Sequence, residues 1–290
     1  MFQEFYRHIP QNIDPVVFTI GSFNLRWYGL AYLGGFIVVY GLLRLRIVKN
    51  ECVFFTKKED ALAAVFDFLL VAFFSALIGG RLGYVFFYDP AYFFAHPFSI
   101  ISPFSQDGSF AGLYGMSYHG ALLAIILGSY LFLRKKRINF LDWADFVAPT
   151  VAMGYFFGRI GNFLNGELYG RITNSSLGMF FPSDPYNLRH PSQLHEAFLE
   201  GIVLFVILWK IRNKKMRKGS IFAAYLIGYG ALRALAEQFR QPDAQIGYLF
   251  GLVTQGQLFS FVMILAGLVL LISKKEIDAI MKAGNIFKKV

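Results

Sequence analysis

Seven apolar stretches, each about long enough to cross a bilayer as a helix, constrain this chain more than any other feature. They fall at approximately 27–43, 61–88, 115–133, 143–162, 192–211, 220–238 and 255–273. A spanning helix needs roughly 20 mostly apolar residues, because its backbone must satisfy itself inside the hydrocarbon. Composition agrees. Of 290 residues, 56% are hydrophobic, only 16% are charged and 34 are phenylalanine, whereas soluble chains carry about a quarter charged residues. An ordinary soluble enzyme and a disordered chain are thereby excluded. The single cysteine, Cys52, excludes an internal disulfide and a Cys-rich metal site. The expected fold class is an all-α polytopic membrane protein of about seven transmembrane helices, forming a single integral membrane domain over 1–290. The second window is long enough to tilt or protrude. Glu4, His8 and Asp14 precede the first window without the basic-then-apolar design of a cleavable signal, so that helix is expected to be kept.

The net charge of +10 could point to nucleic acid, but the positions of the basic residues point to topology instead. Arg44, Arg46, Lys49, Lys57 and Lys58 follow the first window, and Arg134, Lys135, Lys136 and Arg137 follow the third. Lys210, Arg212, Lys214, Lys215, Arg217 and Lys218 surround the end of the fifth, and Lys274, Lys275, Lys282, Lys288 and Lys289 are in the tail. The intervening segments have few basic residues, and basic loops stay in the cytoplasm. The expectation is an outside N-terminus, a cytoplasmic C-terminus and small periplasmic arm and head segments at about 1–26, 89–114, 163–191 and 239–254. Every lysine falls on the cytoplasmic side. The arginines left over are Arg7, Arg26, Arg81, Arg159, Arg171, Arg189, Arg233 and Arg240, and all five histidines lie on or near the outer side.

Counting along each helix at about 1.5 Å per residue places Arg159 roughly 24 Å and Arg233 roughly 20 Å above their cytoplasmic starts, and Arg81 roughly 30 Å along the second helix. His119 is near the outer end of the third helix and Tyr28 at the outer start of the first. Each has a plain reading alone: Arg81 snorkels to the interface, His119 is a structural residue at a helix start, and Tyr28 joins Trp27 in an interfacial belt. Their coincidence at one depth favours function. Glu237 and Arg240 follow Arg233 at i+4 and i+7, making a guanidinium–carboxylate–guanidinium row, and intramembrane charge usually marks function. The densest stretch, GRIGNFLNGELYGR at 158–171, joins two arginines, Asn162, Asn165, Glu167 and four glycines where the chain leaves the bilayer. It suits a polar head group. It matches neither a dinucleotide fingerprint nor a P-loop. HPSQLHE at 190–196 reads as a helix start, which capping explains in large part. The outer histidines lack the regular spacing of metal ligands, so no metal site and no cofactor are expected. Cys52, on the cytoplasmic side, is expected to be inert.

GRIGNFLNGELYG at 158–170, YHGALLA at 118–124, HPSQLHE at 190–196 and RALAEQFRQPDAQ at 233–245 together resemble prolipoprotein diacylglyceryl transferase. RWYGLAY at 26–32 and GGRLGY at 79–84 are similar to the same family. The likeness runs in order over nearly the whole chain. Ala121 stands where the family usually has a second glycine, and His195 where it commonly has tyrosine. The resemblance implies transfer of the sn-1,2-diacylglyceryl group of phosphatidylglycerol to the lipobox cysteine of a prolipoprotein signal peptide. A thioether forms, glycerol 1-phosphate leaves, and the site faces the periplasmic leaflet of a bacterial inner membrane. It also implies His119 as the base for the thiol and Arg159 and Arg233 as phosphate holders. Tyr28, Asn162, Glu167 and Gly170 would complete the lipid site, with Glu237 orienting Arg233 or Arg240. Arg81, Asn165, His190 and Arg240 are further candidates for substrate contact. Membrane lipids and the two substrates are the expected partners, and nucleic acid is not. An anionic-solute transporter and a lipid-binding membrane protein without chemistry remain as alternatives from the residues alone.

Overall fold

Every apolar window is helical in the computed structural model, which describes residues 2–21, 23–102, 115–242, 248–249 and 252–272. A short helix α1 (Phe2–Arg7) and a hairpin of β1 (Val16–Ile20) and β2 (Phe23–Arg26) lead into α2 (Trp27–Val48). Then come α3 (Lys58–Phe87), α4 (Pro90–Ala95), α5 (Tyr118–Lys136) and α6 (Phe140–Leu164). A second hairpin, β3 (Met179–Phe181) and β4 (Asp184–Arg189), precedes α7 (Ser192–Glu196). A π-helical segment, Ala197–Val203, carries α7 without a break into α8 (Leu204–Ile211). The chain ends with α9 (Ser220–Ala236), the strand pair β5 (Tyr248–Leu249) and β6 (Val253–Thr254), and α10 (Gln255–Leu271). All three strand pairs are antiparallel. By length and composition α2, with 22 residues, and α3, with 30, are long and apolar enough to cross a membrane.

The boundaries differ from expectation where charge extends a helix. Lys58 opens α3 rather than ending a loop, and Arg134–Lys136 form the last turn of α5. The cations at the end of α5 face the negative end of its helix dipole. The fifth window is not one regular helix, because its middle is π-helical. Gly201 in that segment packs so closely on α6 that a Cβ would lie 2.7 Å from Phe156 Cβ. The tail lysines Lys274, Lys275, Lys282, Lys288 and Lys289 lie outside the described residues.

Two compact units emerge. The first comprises Met1–Pro15, Trp27–Val39 and Leu141–Val290. Ala152, Leu204, Leu208 and Ile221 from α6, α8 and α9 form its core between the helices. Phe163, Met179 and Phe181 form a second cluster, under which Tyr6, Ile9 and Ile13 pack. Side chains close the helix ends. The Asp145 carboxylate accepts from the backbone N–H groups of Gly219 and Phe222, each at 2.7 Å, at the start of α9. Arg217 donates to the carbonyls of Leu270 and Ile272 at 2.5 and 3.1 Å, at the end of α10. These are the orphan groups that every helix leaves at its termini.

The second unit comprises Val16–Arg26 and Tyr40–Phe140. In it α3 and α5 touch backbone to backbone. A Cβ on Gly120 would lie 2.3 Å from the Gly79 carbonyl and 2.9 Å from Gly83 Cα. Small residues four apart permit this approach, as is usual between helices in lipid. Ala121, the departure from the family pattern, is accommodated, since even a Cβ on Gly80 would stay 3.5 Å from its methyl. Arg46 is 3% exposed and bonds Glu51 at 2.7 Å, so it holds the end of α2 rather than meeting lipid.

Candidate functional site

The first unit gathers most of the singled-out residues around a carboxylate that the sequence reading treated as part of a helix start. Glu196 ends α7 and is fully buried. Its Oε2 takes Arg159 Nε at 2.9 Å, Arg233 Nη1 at 2.5 Å and the Tyr155 hydroxyl at 3.2 Å. Its Oε1 takes Arg240 Nη1 at 3.4 Å. Three guanidiniums from α6, α9 and the segment after α9 therefore meet one anion. Burial of these charges is tolerated only because they are paired and hydrogen-bonded.

Arg159 and Arg233 are each held a second time. Arg159 Nε also donates to the Tyr155 hydroxyl at 2.7 Å, and Arg159 Nη1 donates to Asn162 Oδ1 at 3.2 Å. Asn162 in turn donates from Nδ2 to Glu167 Oε1 at 2.9 Å. Arg233 Nη2 meets Glu237 Oε2 at 2.7 Å, the expected i+4 pair. Glu237 Oε1 accepts from the Thr254 hydroxyl at 2.9 Å, which ties α10 into the network. Arg240 lies beyond the end of α9 and so leaves the expected row with Glu237, reaching Glu196 instead. Glu200, also fully buried, stands 3.7 Å from Arg233.

The turn after α6 is built to present Glu167. Gly166 and Leu168 both adopt left-handed backbone, with φ of 68° and 58°. For leucine this conformation persists only where the surroundings enforce it. Gln193 Nε2 donates to the Glu167 carbonyl at 2.6 Å and Ser192 Oγ to the Leu168 carbonyl at 3.0 Å. Ser192 is thus the buried bolt of this turn rather than a helix cap, and Pro191 occupies the cap position. Gly170 is glycine for steric reasons: a Cβ there would lie 2.2 Å from the Phe239 carbonyl and 2.8 Å from that of His190. Asn165 Oδ1 is buried without a hydrogen-bond partner among the described residues.

Other candidates are placed differently. Tyr28 packs on α6 beside Gly161, and its hydroxyl donates to that of Tyr32 at 3.1 Å. The His190 ring lies against a tilted His195 and edge-on to Phe239, and burial pushes its imidazole below the usual histidine range. Arg171 and Arg189 fasten the segments between helices: Arg171 Nε reaches the Arg240 carbonyl at 2.9 Å, and Arg189 Nε reaches Asp184 at 2.6 Å. In the second unit Arg81 is buried and donates to the carbonyls of Ile100 at 2.7 Å, of Gly115 at 3.3 Å and of Ser99. It also stacks on Phe93. Its donors fasten the chain between α3 and α5. His119 is exposed in the first turn of α5, slightly nearer the helix end than the window implied, and Ser117 Oγ accepts from the Gly120 N–H at 3.2 Å.

Glu196, Glu200, Tyr155 and Thr254 escaped the sequence reading. The available signal was two acids four residues apart inside an apolar run, a placement that demands buried cations nearby.

The family model described as prolipoprotein diacylglyceryl transferase matches residues 15–273. A phosphatidylglycerol–prolipoprotein diacylglyceryl transferase of Chlorobaculum tepidum is 44% identical over 279 residues, covering 95% of this chain and 94% of its own. The protein of the same name from Rickettsia bellii is 40% identical, covering 93% and 98%. That of Desulfotalea psychrophila is 41% identical, covering 89% and 92%.

Proposed function

Because the chain belongs to the prolipoprotein diacylglyceryl transferase family, we propose that it transfers the diacylglyceryl group of phosphatidylglycerol to a prolipoprotein. The transporter and lipid-binding alternatives are not favoured, since the relatives are named as transferases of these two substrates. The observation that carries the reading into chemistry is the convergence of Arg159, Arg233 and Arg240 on one buried anion. Guanidiniums held in place by carboxylates bind a lipid phosphate without reorganising at the moment of reaction.

The acceptor in our reading is the lipobox cysteine of the signal peptide. Its thiolate attacks the glyceryl carbon that bears the phosphate ester, a C–S bond forms, and the C–O bond to phosphate breaks. Glycerol 1-phosphate leaves with the bonding pair. The thiol proton goes to His119, because a thiol of pKa about 8.5 is mostly protonated near neutral pH and imidazole is the side chain suited to accept it there. Arg159 and Arg233 take the growing phosphate charge through bidentate contacts. Glu237 orients Arg233, and Tyr28, Asn162, Glu167 and Gly170 complete the lipid site. Arg81 serves better as a fastening of its own unit, given the carbonyls it binds. Both units belong, in this reading, to one domain of seven spans in a bacterial inner membrane, with the N-terminus outside and the site toward the periplasmic leaflet. The asymmetry of basic residues supports that orientation.

The test is direct. Purified protein is incubated with phosphatidylglycerol vesicles and a lipobox peptide, and the peptide mass is followed. Gain of a diacylglyceryl group is expected; an unchanged peptide overturns the reading.

A further inference from the structure

An open cleft of about 500 Å³ lies in the first unit, with Asn165, Glu167, Tyr169, Ser183, Arg240 and Gln241 among its lining residues. Two of them also belong to the arginine network. Arg240 reaches Glu196 at 3.4 Å, and Glu167 accepts from Asn162 at 2.9 Å, which itself accepts from Arg159 at 3.2 Å. The cleft therefore begins where the anion-holding groups end. Beyond Arg240 its polar groups are of a different kind: a carboxylate, two side-chain amides and the hydroxyls of Tyr169 and Ser183. A second anion would be repelled by Glu167. A neutral polyol suits the set, because a carboxylate accepts from hydroxyl protons and an amide both donates and accepts. The turn that carries the carboxylate is fixed, since buried Gln193 and Ser192 bond the backbone carbonyls of Glu167 and Leu168 at 2.6 and 3.0 Å, and Asn162 Nδ2 donates to the carboxylate itself. Positions fixed in this way discriminate between ligands better than mobile ones.

We propose that this cleft is the subsite for the terminal glycerol of the donor head group, with Glu167 and Gln241 selecting a diol. The inference rests on the reading of phosphatidylglycerol as donor. The phosphate stays on the arginines while the two free hydroxyls of the head group enter the cleft. Discrimination among phosphodiester lipids of equal charge then arises here and not at the guanidiniums. A site built to bond a hydroxyl rejects the analogue lacking it, because its own polar groups are left without partners.

The experiment compares two donors in vesicles, phosphatidylglycerol and phosphatidylpropanol, which has the same charge and no head-group hydroxyl. Transfer to a lipobox peptide is measured as kcat/KM for the wild type, Glu167→Gln and Gln241→Ala. The wild type is expected to favour phosphatidylglycerol by about 10²-fold, as two hydrogen bonds, one to a charged group, would give. Each variant is expected to compress that ratio by about tenfold, chiefly through loss with phosphatidylglycerol. General damage to the network would lower both donors together, so an unchanged ratio in both variants overturns the proposal. So does a wild type that uses both lipids equally, or a variant effect confined to the KM of the peptide, which would assign the cleft to the acceptor. Absence of transfer from phosphatidylglycerol by the wild type would instead sink the parent reading.

Discussion

Replacing Glu196 with glutamine tests the account of the arginine cluster most severely. The side chain keeps its shape and one acceptor oxygen but loses its charge. In the native arrangement the carboxylate meets Arg233 at 2.5 Å, Arg159 at 2.9 Å and Arg240 at 3.4 Å, with no exposure to solvent. Arg233 retains Glu237 at 2.7 Å, whereas Arg159 is left with the neutral Tyr155 and Asn162. Arg159 is therefore the group most damaged. Breaking one partner of a buried ion pair costs about 3–5 kcal/mol, because the surviving charge is left uncompensated. Loss of one preorganised donor at a developing anion lowers kcat by about 10²–10³-fold. The assay is thermal unfolding in detergent beside single-turnover transfer from phosphatidylglycerol to a lipobox peptide. A lowered unfolding midpoint and a rate reduced by at least about 10²-fold are expected. Glu196→Asp should fall in between on stability yet remain slow, since its shorter arm moves the carboxylate away from the three guanidiniums at once. A glutamine variant with wild-type midpoint and rate refutes the reasoning. A lowered midpoint with an unchanged rate would show that the carboxylate only holds the fold.

Four further outcomes are expected. Arg159→Lys and Arg233→Lys keep a charge but lose the planar fork, so each should lose most activity in the same peptide assay; near-normal transfer by both would exclude bidentate phosphate binding. In a Cys52→Ser background, cysteines introduced at Lys57 and Lys136 should resist an impermeant thiol reagent in intact cells, and ready labelling would reverse the orientation. His119→Ala should be slowed about 10²–10⁴-fold near pH 7 and partly recover toward pH 9 as the substrate thiol ionises; a deficit constant across a pH–rate profile would make His119 a positioning residue. Gly120→Ala places a methyl 2.3 Å from the Gly79 carbonyl, so α3 and α5 must separate at a cost of about 1–3 kcal/mol, read as a lower unfolding midpoint.

The helices were legible because hydrophobic windows of spanning length are a local property. All seven windows are helical over most of their length, and their ends shift by only a few residues. The pair Arg233–Glu237 was legible too, since helical spacing alone puts the two within reach, and they meet at 2.7 Å; Arg240, expected in the same row, lies beyond the end of α9 and meets Glu196 instead. The stretch 158–170 announced itself by polar residues in an apolar place. Its glycines turned out to have separate reasons: Gly166 for a left-handed turn, Gly170 for the approach of two other backbones. Arg81 shows the limit. By composition it belonged with the outer arginines, but its partners are carbonyls of residues 99, 100 and 115, distant in sequence.

The sequence by itself therefore determined the membrane class, the helical segments and the family, because each is written in runs, periods and short motifs. Only the tertiary structure decided which anion those arginines share. Glu196 reads in sequence as the acid of a helix start. It becomes the hub because α6, α9 and the segment after α9 bring Arg159, Arg233 and Arg240 to it across 37 to 44 residues of chain. A buried charge takes its meaning from the partners that fold against it, and the identity of those partners is a long-range property that no local pattern carries.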